Sequence, residues 1–170
     1  AAGAALVAHP MVDKISFTGS TAVGRQIARI GAEQLKKVTL ELGGKSPMVV
    51  LADADLEKAI PGAALGIYAN HGQNCCAGSR LYVHASIYDK VVAGIADIAR
   101  ATVLGSGLDP ESQMGPLVSK GQQERVLGFV ERGKAAGAEL VVGGTSLDHE
   151  GAYVTPAVVA RVDNSMEMVR

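Results

Sequence analysis

The sequence predicts an α/β fold, in which the strands of a sheet alternate with crossover helices. Along the 170-residue chain, short runs rich in β-branched residues alternate with longer stretches of helical period. Hydrophobic residues make up 48% of the chain, enough for a buried core. No apolar run approaches the roughly 20 residues that span a bilayer. These observations favour a soluble α/β protein over a helical bundle, a β-sandwich or a membrane protein.

Charge and cysteine content exclude several classes of function. The chain carries 16 Lys and Arg residues against 17 Asp and Glu residues, spread along its length, so it lacks the basic patch of a nucleic-acid-binding protein. We therefore expect neither nucleic acid nor a membrane among its partners. The two cysteines, Cys75 and Cys76, are adjacent, a spacing unlike that of a zinc site or a disulfide scaffold. This predicts no bound metal and a reducing, cytoplasmic environment.

The first part of the chain has the pattern of a strand, a glycine turn and a helix. Alanine-rich residues 1–9 indicate a helix that Pro10 stops. Residues 12–17 indicate a strand, and the turn at 18–20 leads into a second helix. The apolar residues of that helix, at spacings of four and three, are Val23, Ile27 and Ile30.

The alternation continues through the rest of the chain. A glycine pair at 43–44 separates two strands and marks a domain crossing or a tight turn. The helix that follows has Asp53 or Asp55 as its N-cap, and Pro61 is expected to bend or divide it. The predicted strands cover 37–42, 47–51, 80–83 and 139–142, the helix covers 53–69, two later amphipathic helices begin at Ser86 and near Ser119, and 152–162 is extended.

The turn after the first strand has the geometry of an anion site. Within residues 17–24, a glycine turn opens a helix directly after a strand, so free N–H groups and the positive end of the helix dipole would face an anion. The segment has neither a G-x-G-x-x-G fingerprint nor the Lys-Ser/Thr pair of a P-loop. An ordinary capped turn is the alternative interpretation.

Glu41 is the second candidate for chemistry. It lies between Leu40 and Leu42, directly before the glycine pair. Partial desolvation by these leucines would suit its carboxyl group to general-base catalysis. A solvent-facing strand carboxylate is the alternative.

Residues 72–80 hold both cysteines among small and polar residues. A cysteine in such a loop can be an accessible thiolate nucleophile, and its own N–H can stabilise an oxyanion. Two buried structural thiols are the alternative. Because His71 lies four residues before Cys75, a Cys-His hydrolase also stays open, although such partners usually come from distant parts of the chain.

Three strings, in this order, resemble the aldehyde dehydrogenase superfamily. They are FTGST at 17–21, LELGGKSP at 40–47 and GQNCCAGSR at 72–80, and the resemblance extends over essentially all of the chain. It implies an aldehyde dehydrogenase-like α/β fold with two incomplete parts. These are the end of a Rossmann-like NAD(P)-binding domain at 1–43 and a catalytic thiol domain at 44–170. The family's oxyanion-hole asparagine and most of its aldehyde tunnel would then precede Ala1.

The resemblance also implies roles for individual residues. Cys75 is the nucleophile, Cys76 is a dispensable neighbour and Glu41 is the general base. The implied cofactor contacts are Gly19 and Ser20 on the dinucleotide, Gly24 as the close-packing residue of the helix, the backbone of Leu42 on the nicotinamide, and Gln122 on the cofactor ribose.

The implied activity is the NAD(P)-dependent oxidation of an aldehyde to a carboxylic acid through a cysteine thioester. It would belong to a longer parent protein, a homodimer or homotetramer, with NAD or NADP as the cofactor. The alternative, from a different class, is a non-catalytic fragment that folds, self-associates or binds nucleotide weakly.

Overall fold

Strands and helices alternate along the chain, as the sequence predicts. The computed structural model describes residues 2–170, and Ala1, the first residue of the first predicted helix, lies outside them. The chain divides into two units, Ala1–Gly44 and Lys45–Arg170. The assignment of 1–43 and 44–170 to a cofactor domain and a thiol domain stays a prediction.

The first unit is a strand–helix–strand crossover preceded by a short helix. Its elements are α1 (Ala2–Ala8), β1 (Lys14–Gly19), α2 (Thr21–Glu33) and β2 (Lys37–Leu42). Strands β1 and β2 are parallel, with Lys14 opposite Lys37 and Gly19 opposite Leu42. Strand β1 begins two residues later than predicted and continues through Gly19, because its pairing with β2 continues to that point.

Helix α2 packs through small residues, which corrects the predicted apolar face. The buried residues of α2 are Gly24, Ile27 and Gly31, whereas Val23 is 41% exposed. Glycines allow a helix to approach a strand closely, and side chains of β2 fill the space at both of them. The contact face therefore keeps the predicted Ile27, but Gly24 and Gly31 complete it in place of Val23 and Ile30.

The second unit contains two small sheets and three helices. Its elements are β3 (Pro47–Val50), α3 (Leu56–Tyr68), β4 (Arg80–Val83), α4 (Tyr88–Ala101), α5 (Lys120–Ala135), β5 (Glu139–Val142) and β6 (Val158–Ala160), with 3₁₀ turns at Ala69–Gly72, Ala85–Ile87 and Glu167–Val169. Strands β3 and β4 are parallel, and β5 and β6 are antiparallel. Within residues 2–170, no helix is both long enough and apolar enough to cross a membrane.

The main core of the second unit lies between α3 and α4. Ala63 and Ala64 of α3 are buried together with Val91 and Ile95 of α4. Half-buried apolar side chains surround this cluster: Met48, Leu56, Ile60, Tyr68, Leu81, Val83, Ile87, Ile98 and Val158. Side chains of β3 and β4 are among them, so both helices cover the parallel strand pair that precedes and follows the cysteines.

The predicted helix starts are confirmed in two of three cases. Asp55 caps α3, and Ser119 caps α5. Helix α3 continues from Leu56 through Pro61 to Tyr68, so this proline does not divide the helix, although its missing N–H costs one intrahelical hydrogen bond. The prediction for Ser86 is wrong: it lies in a 3₁₀ turn, and the His84 Nδ1 atom accepts its N–H at 3.2 Å.

Candidate active site

The carboxyl ends of β1 and β2 lie side by side in the first unit. In the parallel register, Thr18 lies opposite Glu41, and Gly19 lies opposite Leu42. Ser20 follows directly on Gly19. In parallel α/β sheets, ligands bind at the carboxyl ends of the strands. Four of the predicted site residues therefore share one edge of this strand pair.

The N-terminus of α2 also opens at this edge. Ser20 is its N-cap, and the Ser20 Oγ atom accepts the Val23 N–H at 3.3 Å. The Ser20 carbonyl accepts the Gly24 N–H at 2.9 Å. The earlier N–H groups of a helix have no intrahelical acceptor, and they face outward at the positive end of the helix dipole. This end of α2 has the chemistry to hold an anion such as a phosphate group.

Gly24 holds α2 against the end of β2. It is buried, and a Cβ atom there would lie 2.6 Å from the Leu42 Cδ2 atom. Any larger residue at position 24 would displace Leu42 or the helix. The contact accounts for the close packing predicted at Gly24, whereas its role in binding a cofactor stays a prediction.

Glu41 faces solvent, so the expected desolvation by its leucine neighbours is wrong. Along β2, exposed and half-buried residues alternate, with Leu40 and Leu42 half-buried and Glu41 exposed. Successive side chains of a strand point to opposite faces, so the two leucines lie on the other face from Glu41. Of the two interpretations of Glu41, the structure matches the solvent-facing carboxylate.

Cys75 and Cys76 lie on an irregular loop in the second unit. We call residues 69–79, between α3 and β4, the cysteine loop. Both thiols are free and exposed, which excludes the alternative of two buried structural thiols. Two non-glycine residues of the loop have left-handed backbone conformations, Asn70 at φ 50° and His71 at φ 60°. The sequence signals this strained turn only through Gly72, which has φ 69°.

The end of the cysteine loop is anchored on α3 and β3. The Gly78 N–H donates to the Gly66 carbonyl at 3.0 Å. Gly78 is buried, and a Cβ atom there would lie 2.5 Å from the Met48 Sδ atom. The Arg80 Nε–H then donates to the Lys45 carbonyl at 2.7 Å. These contacts hold the chain directly after the two thiols.

The start of the loop is tied to residues 115–118, which lead into α5. The His71 Nε2 atom accepts the Gly115 N–H at 2.9 Å, and the Gln73 Oε1 atom accepts the Val118 N–H at 3.2 Å. Because this hydrogen bond occupies the Nε2 lone pair, that nitrogen is not free to deprotonate Cys75, which argues against the Cys-His hydrolase. Sequence reasoning missed both ties, since their partners are more than forty positions away.

Two neighbouring glutamines at the start of α5 differ in how far they are buried. The Ser119 Oγ atom accepts the Gln122 N–H at 3.2 Å, and Gln122 is half-buried. The neighbouring Gln123 is buried, and its Nε2 atom donates to the Tyr153 carbonyl at 2.6 Å. Gln123 therefore has a packing role, whereas Gln122 keeps its side chain partly accessible.

The predicted site residues are divided between the two units. The first unit brings together Gly19, Ser20, Gly24, Glu41 and Leu42, and the second holds Cys75 and Gln122.

Near the start of the second unit, burial lowers the pKa of the Lys45 ammonium, and the neighbouring Arg80 guanidinium lowers it further. In the part of the chain that the structure describes, no group of three or more His, Cys, Asp or Glu side chains could hold a metal ion.

Comparison with known proteins identifies the family. Residues 1–170 match the sequence model of the aldehyde dehydrogenase family. The phenylacetaldehyde dehydrogenase of Pseudomonas fluorescens is 52% identical over 160 residues, covering 94% of this chain and 32% of that protein. The betaine aldehyde dehydrogenase of Sinorhizobium fredii is 46% identical over 171 residues, covering 99% of this chain and 35% of that protein.

A solved structure agrees with this match. The NAD+ complex of an aldehyde dehydrogenase from Bacillus cereus is 52% identical and superposes with a TM-score of 0.97, over 99% of this chain and 34% of that one. The chain therefore belongs to the aldehyde dehydrogenase family, and the predicted α/β, aldehyde dehydrogenase-like fold class is confirmed. It spans about a third of the length of the relatives that it matches.

Proposed function

We propose that this chain is part of an NAD(P)-dependent aldehyde dehydrogenase that oxidises an aldehyde to a carboxylic acid. The observation that carries this proposal is the exposed thiol of Cys75, on a loop held at both ends, in a chain that matches the family throughout. The activity belongs to the longer protein, which we call the parent. The relatives act on different aldehydes by name, so we propose an aldehyde as the substrate class.

Cys75 is the proposed nucleophile. Its thiolate attacks the aldehyde carbon, a C–S bond forms, and the carbonyl oxygen becomes the oxyanion of a hemithioacetal. Within residues 2–170 the Cys75 N–H has no hydrogen-bond acceptor, so it is free to donate to this oxyanion. Cys76 is exposed as well, but we assign it no role in the reaction.

The N-terminal end of α2 is the proposed binding site for the dinucleotide. Gly19 and Ser20 lie where a phosphate would meet the free N–H groups of the helix, and Gly24 allows α2 to pack against Leu42. We assign the Leu42 backbone to the nicotinamide side and Gln122 to the cofactor ribose. When bound, NAD or NADP would accept the hydride whose loss converts the hemithioacetal into the Cys75 thioester.

Glu41 is the proposed base for the second half of the reaction. Its carboxylate takes a proton from a water molecule, and the hydroxide oxygen attacks the carbonyl carbon of the Cys75 thioester. The C–S bond breaks, the carboxylic acid leaves, and the sulfur departs as the Cys75 thiolate, while the proton on Glu41 passes to solvent water. The solvent exposure of Glu41 supports this role, because water reaches it directly.

Alanine variants of the two adjacent thiols in the parent test the proposed function. With an aldehyde and NAD+ or NADP+, we expect Cys75→Ala to lower kcat by at least about 10³-fold, as for other removed nucleophiles. We expect Cys76→Ala, an exposed neighbour with the same chemistry, to stay within about twofold of the wild-type protein. Loss of activity in Cys76→Ala with activity kept in Cys75→Ala would contradict the assignment.

A non-catalytic fragment is the second candidate function. The observation in its favour is that the chain spans about a third of its relatives. In this case the 170-residue chain folds, self-associates or binds nucleotide weakly without turnover. Aldehyde-dependent NADH or NADPH formation by the isolated chain would exclude it.

For the parent we further propose a homodimeric or homotetrameric assembly in the cytoplasm. We propose neither a nucleic-acid nor a membrane partner, on the basis of the balanced charge of the chain and its lack of long apolar runs. The molar mass of the parent in solution tests the assembly.

A further inference from the structure

We propose that His71 is a positioning residue for Cys75. Its neutral imidazole, accepting at Nε2, holds the start of the cysteine loop on residues 115–118. The proposal rests on the proposed role of Cys75 as the nucleophile. His71 touches neither the aldehyde nor the cofactor in this proposal, and it acts through the geometry of the loop.

The segment that His71 contacts is a fixed support. Met114 is buried, and both its N–H and that of Gln113 donate to the Val103 carbonyl, at 3.1 and 2.9 Å. On the other side, the Leu117 N–H donates to the Ala152 carbonyl at 3.0 Å. Gly115 therefore lies between two anchored residues, Met114 and Leu117. The hydrogen bond from its N–H consequently fixes the position of the His71 imidazole, which carries the acceptor.

The backbone at His71 needs such a support. Left-handed conformations are unfavourable for residues with a side chain, and Asn70 and His71 adopt them in succession before Gly72. The Asn70 Nδ2 atom donates to the Gln73 carbonyl and to the Asn74 Oδ1 atom, at 3.2 and 3.1 Å, which organises the turn internally. Among residues 2–170, the hydrogen bonds that join this turn to residues 115–118 are those of His71 and Gln73.

The hydrogen bond to Gly115 defines the form of the imidazole. Since Nε2 accepts, the proton of the neutral ring is on Nδ1. Nδ1 is buried and has no partner among residues 2–170. A buried N–H without an acceptor costs free energy, because it loses its hydrogen bond to water. The fold accepts this cost in order to keep the His71 ring in its position. A histidine that served only to fill space would not require this arrangement.

Cys75 is held along the chain from both sides. Cys75 lies between the ties at His71 and Gln73 and the anchor at Gly78. If the His71 tie is lost, the loop is held at its start by Gln73 alone, and the sulfur and the N–H of Cys75 shift together. Small displacements of reacting groups lower kcat strongly.

Two matched variants separate the hydrogen bond from the strained backbone. In His71→Gln, an extended glutamine places its carbonyl oxygen about where Nε2 lies, so the acceptor is kept. In His71→Asn, the side chain is one methylene shorter and cannot reach Gly115, although asparagine tolerates the left-handed backbone well. If backbone strain were decisive, Asn would be the better replacement. If the hydrogen bond to Gly115 is decisive, Gln is the better replacement.

The experiment uses the parent carrying Cys76→Ala, so that Cys75 is the only thiol of the loop. We expect His71→Asn to lower kcat by about 10²-fold with little change in KM. We also expect it to change the rate at which iodoacetamide alkylates Cys75, and to accelerate hydrogen exchange at the Gly115 N–H. His71→Gln should stay within about threefold of its background in kcat, since the acceptor is kept.

Two outcomes would overturn the inference. One is a normal kcat in His71→Asn, and the other is an equal loss in both variants, which would indicate a general packing role. Each of these results leaves the proposed function intact. If Cys75→Ala retains activity, in contrast, the proposed function fails while alkylation and hydrogen exchange still report on the His71 tie.

Discussion

Glu41 illustrates how one position in a strand sets the chemistry of a side chain. Its leucine neighbours in the sequence point to the opposite face of β2, so they do not shield its carboxylate from water. A general base that activates water benefits from this exposure. The proposed role of Glu41 thus depends on access to water rather than on burial.

Replacement of Glu41 by glutamine in the parent should separate the two halves of the reaction. The amide cannot accept a proton, so we expect slow thioester hydrolysis and a steady-state kcat lowered by about 10²-fold or more. The first turnover does not need this base, so a burst of NADH or NADPH equal to the concentration of active sites should remain. Stopped-flow absorbance measures both phases. Absence of the burst would contradict a role confined to hydrolysis.

Tyr68 makes stability depend on pH in the alkaline range. Burial raises the pKa of this phenol to about 12, and its O–H donates to the Ala157 carbonyl at 3.3 Å. In the unfolded chain the pKa of tyrosine is about 10. Between pH 10 and 12 the unfolded state therefore releases a proton that the folded state keeps, and the free energy of unfolding falls as the pH rises.

The variant Tyr68→Phe should remove this contribution. Below pH 10 we expect the variant to be less stable by about 1 kcal/mol, the usual value for a lost hydrogen bond. As the pH rises toward 12, the difference in stability between the two proteins should shrink. Urea unfolding of the parent and of the variant at several pH values measures it. A difference that stays constant to pH 12 would show that Tyr68 does not titrate in this way.

At the scale of elements, the approach of α3 to α4 depends on a glycine that the helical pattern does not reveal. A Cβ atom at Gly94 in α4 would lie 2.8 Å from the Ile60 Cδ1 atom and 2.9 Å from its Cγ2 atom. Because two branches of the isoleucine lie against this position, a rotation of its outer methyl alone would not make room. Gly94 therefore sets the distance between the helices that bury Ala64 and Val91.

Alanine substitutions at two helical glycines of the same unit test this distance. We expect Gly94→Ala to destabilise the protein by about 1–2 kcal/mol through overpacking. Gly62 in α3 has no atom near its absent Cβ, so Gly62→Ala should stabilise by about 0.5–1 kcal/mol through helix propensity. Urea unfolding midpoints of the parent report both effects. Equal effects at the two positions would show that α4 has room at Gly94.

At the scale of the whole chain, part of the β3–β4 sheet presents an apolar surface to solvent. Val49 of β3 is 64% exposed, and Tyr82, its partner in the register, is 40% exposed. Leu51, directly after β3, is 62% exposed. A two-stranded sheet also leaves backbone groups unpaired at both edges. The isolated chain therefore has both an apolar patch and open strand edges through which it can associate.

We expect the isolated 170-residue chain to self-associate and to form no NADH or NADPH from an aldehyde. The double variant Val49→Thr with Leu51→Thr removes apolar surface while keeping residues suited to strands, so it should shift the chain toward monomer. Leu108→Thr is the matched control, because Leu108 is 96% exposed but lies in the loop between α4 and α5, which adjoins neither β3 nor β4 in the sequence. Sedimentation velocity distinguishes the species. Equal self-association in all three proteins would show that another surface is responsible.

Local sequence signals predicted the elements well and the contacts between them poorly. Strands β2, β4 and β5 have the predicted bounds, and helices α3 and α5 begin at Asp55, one of the two predicted N-caps, and at Ser119, near which the sequence predicts a helix start. These features depend on residues within a few positions of each other. The contact face of α2 was misjudged, because the pattern of large apolar residues does not show where glycines permit close approach.

The motifs around Gly19, Glu41 and Cys75 were sufficient to indicate the family, since the residue types that this chemistry needs occur in a specific order along the chain. Their individual roles stay predictions. Only the tertiary structure shows that Glu41 faces water, that Cys75 is exposed, and that His71 is bonded to Gly115. Backbone donors from distant segments make these ties, and every residue carries the same backbone N–H, so no local pattern reveals which of them will meet.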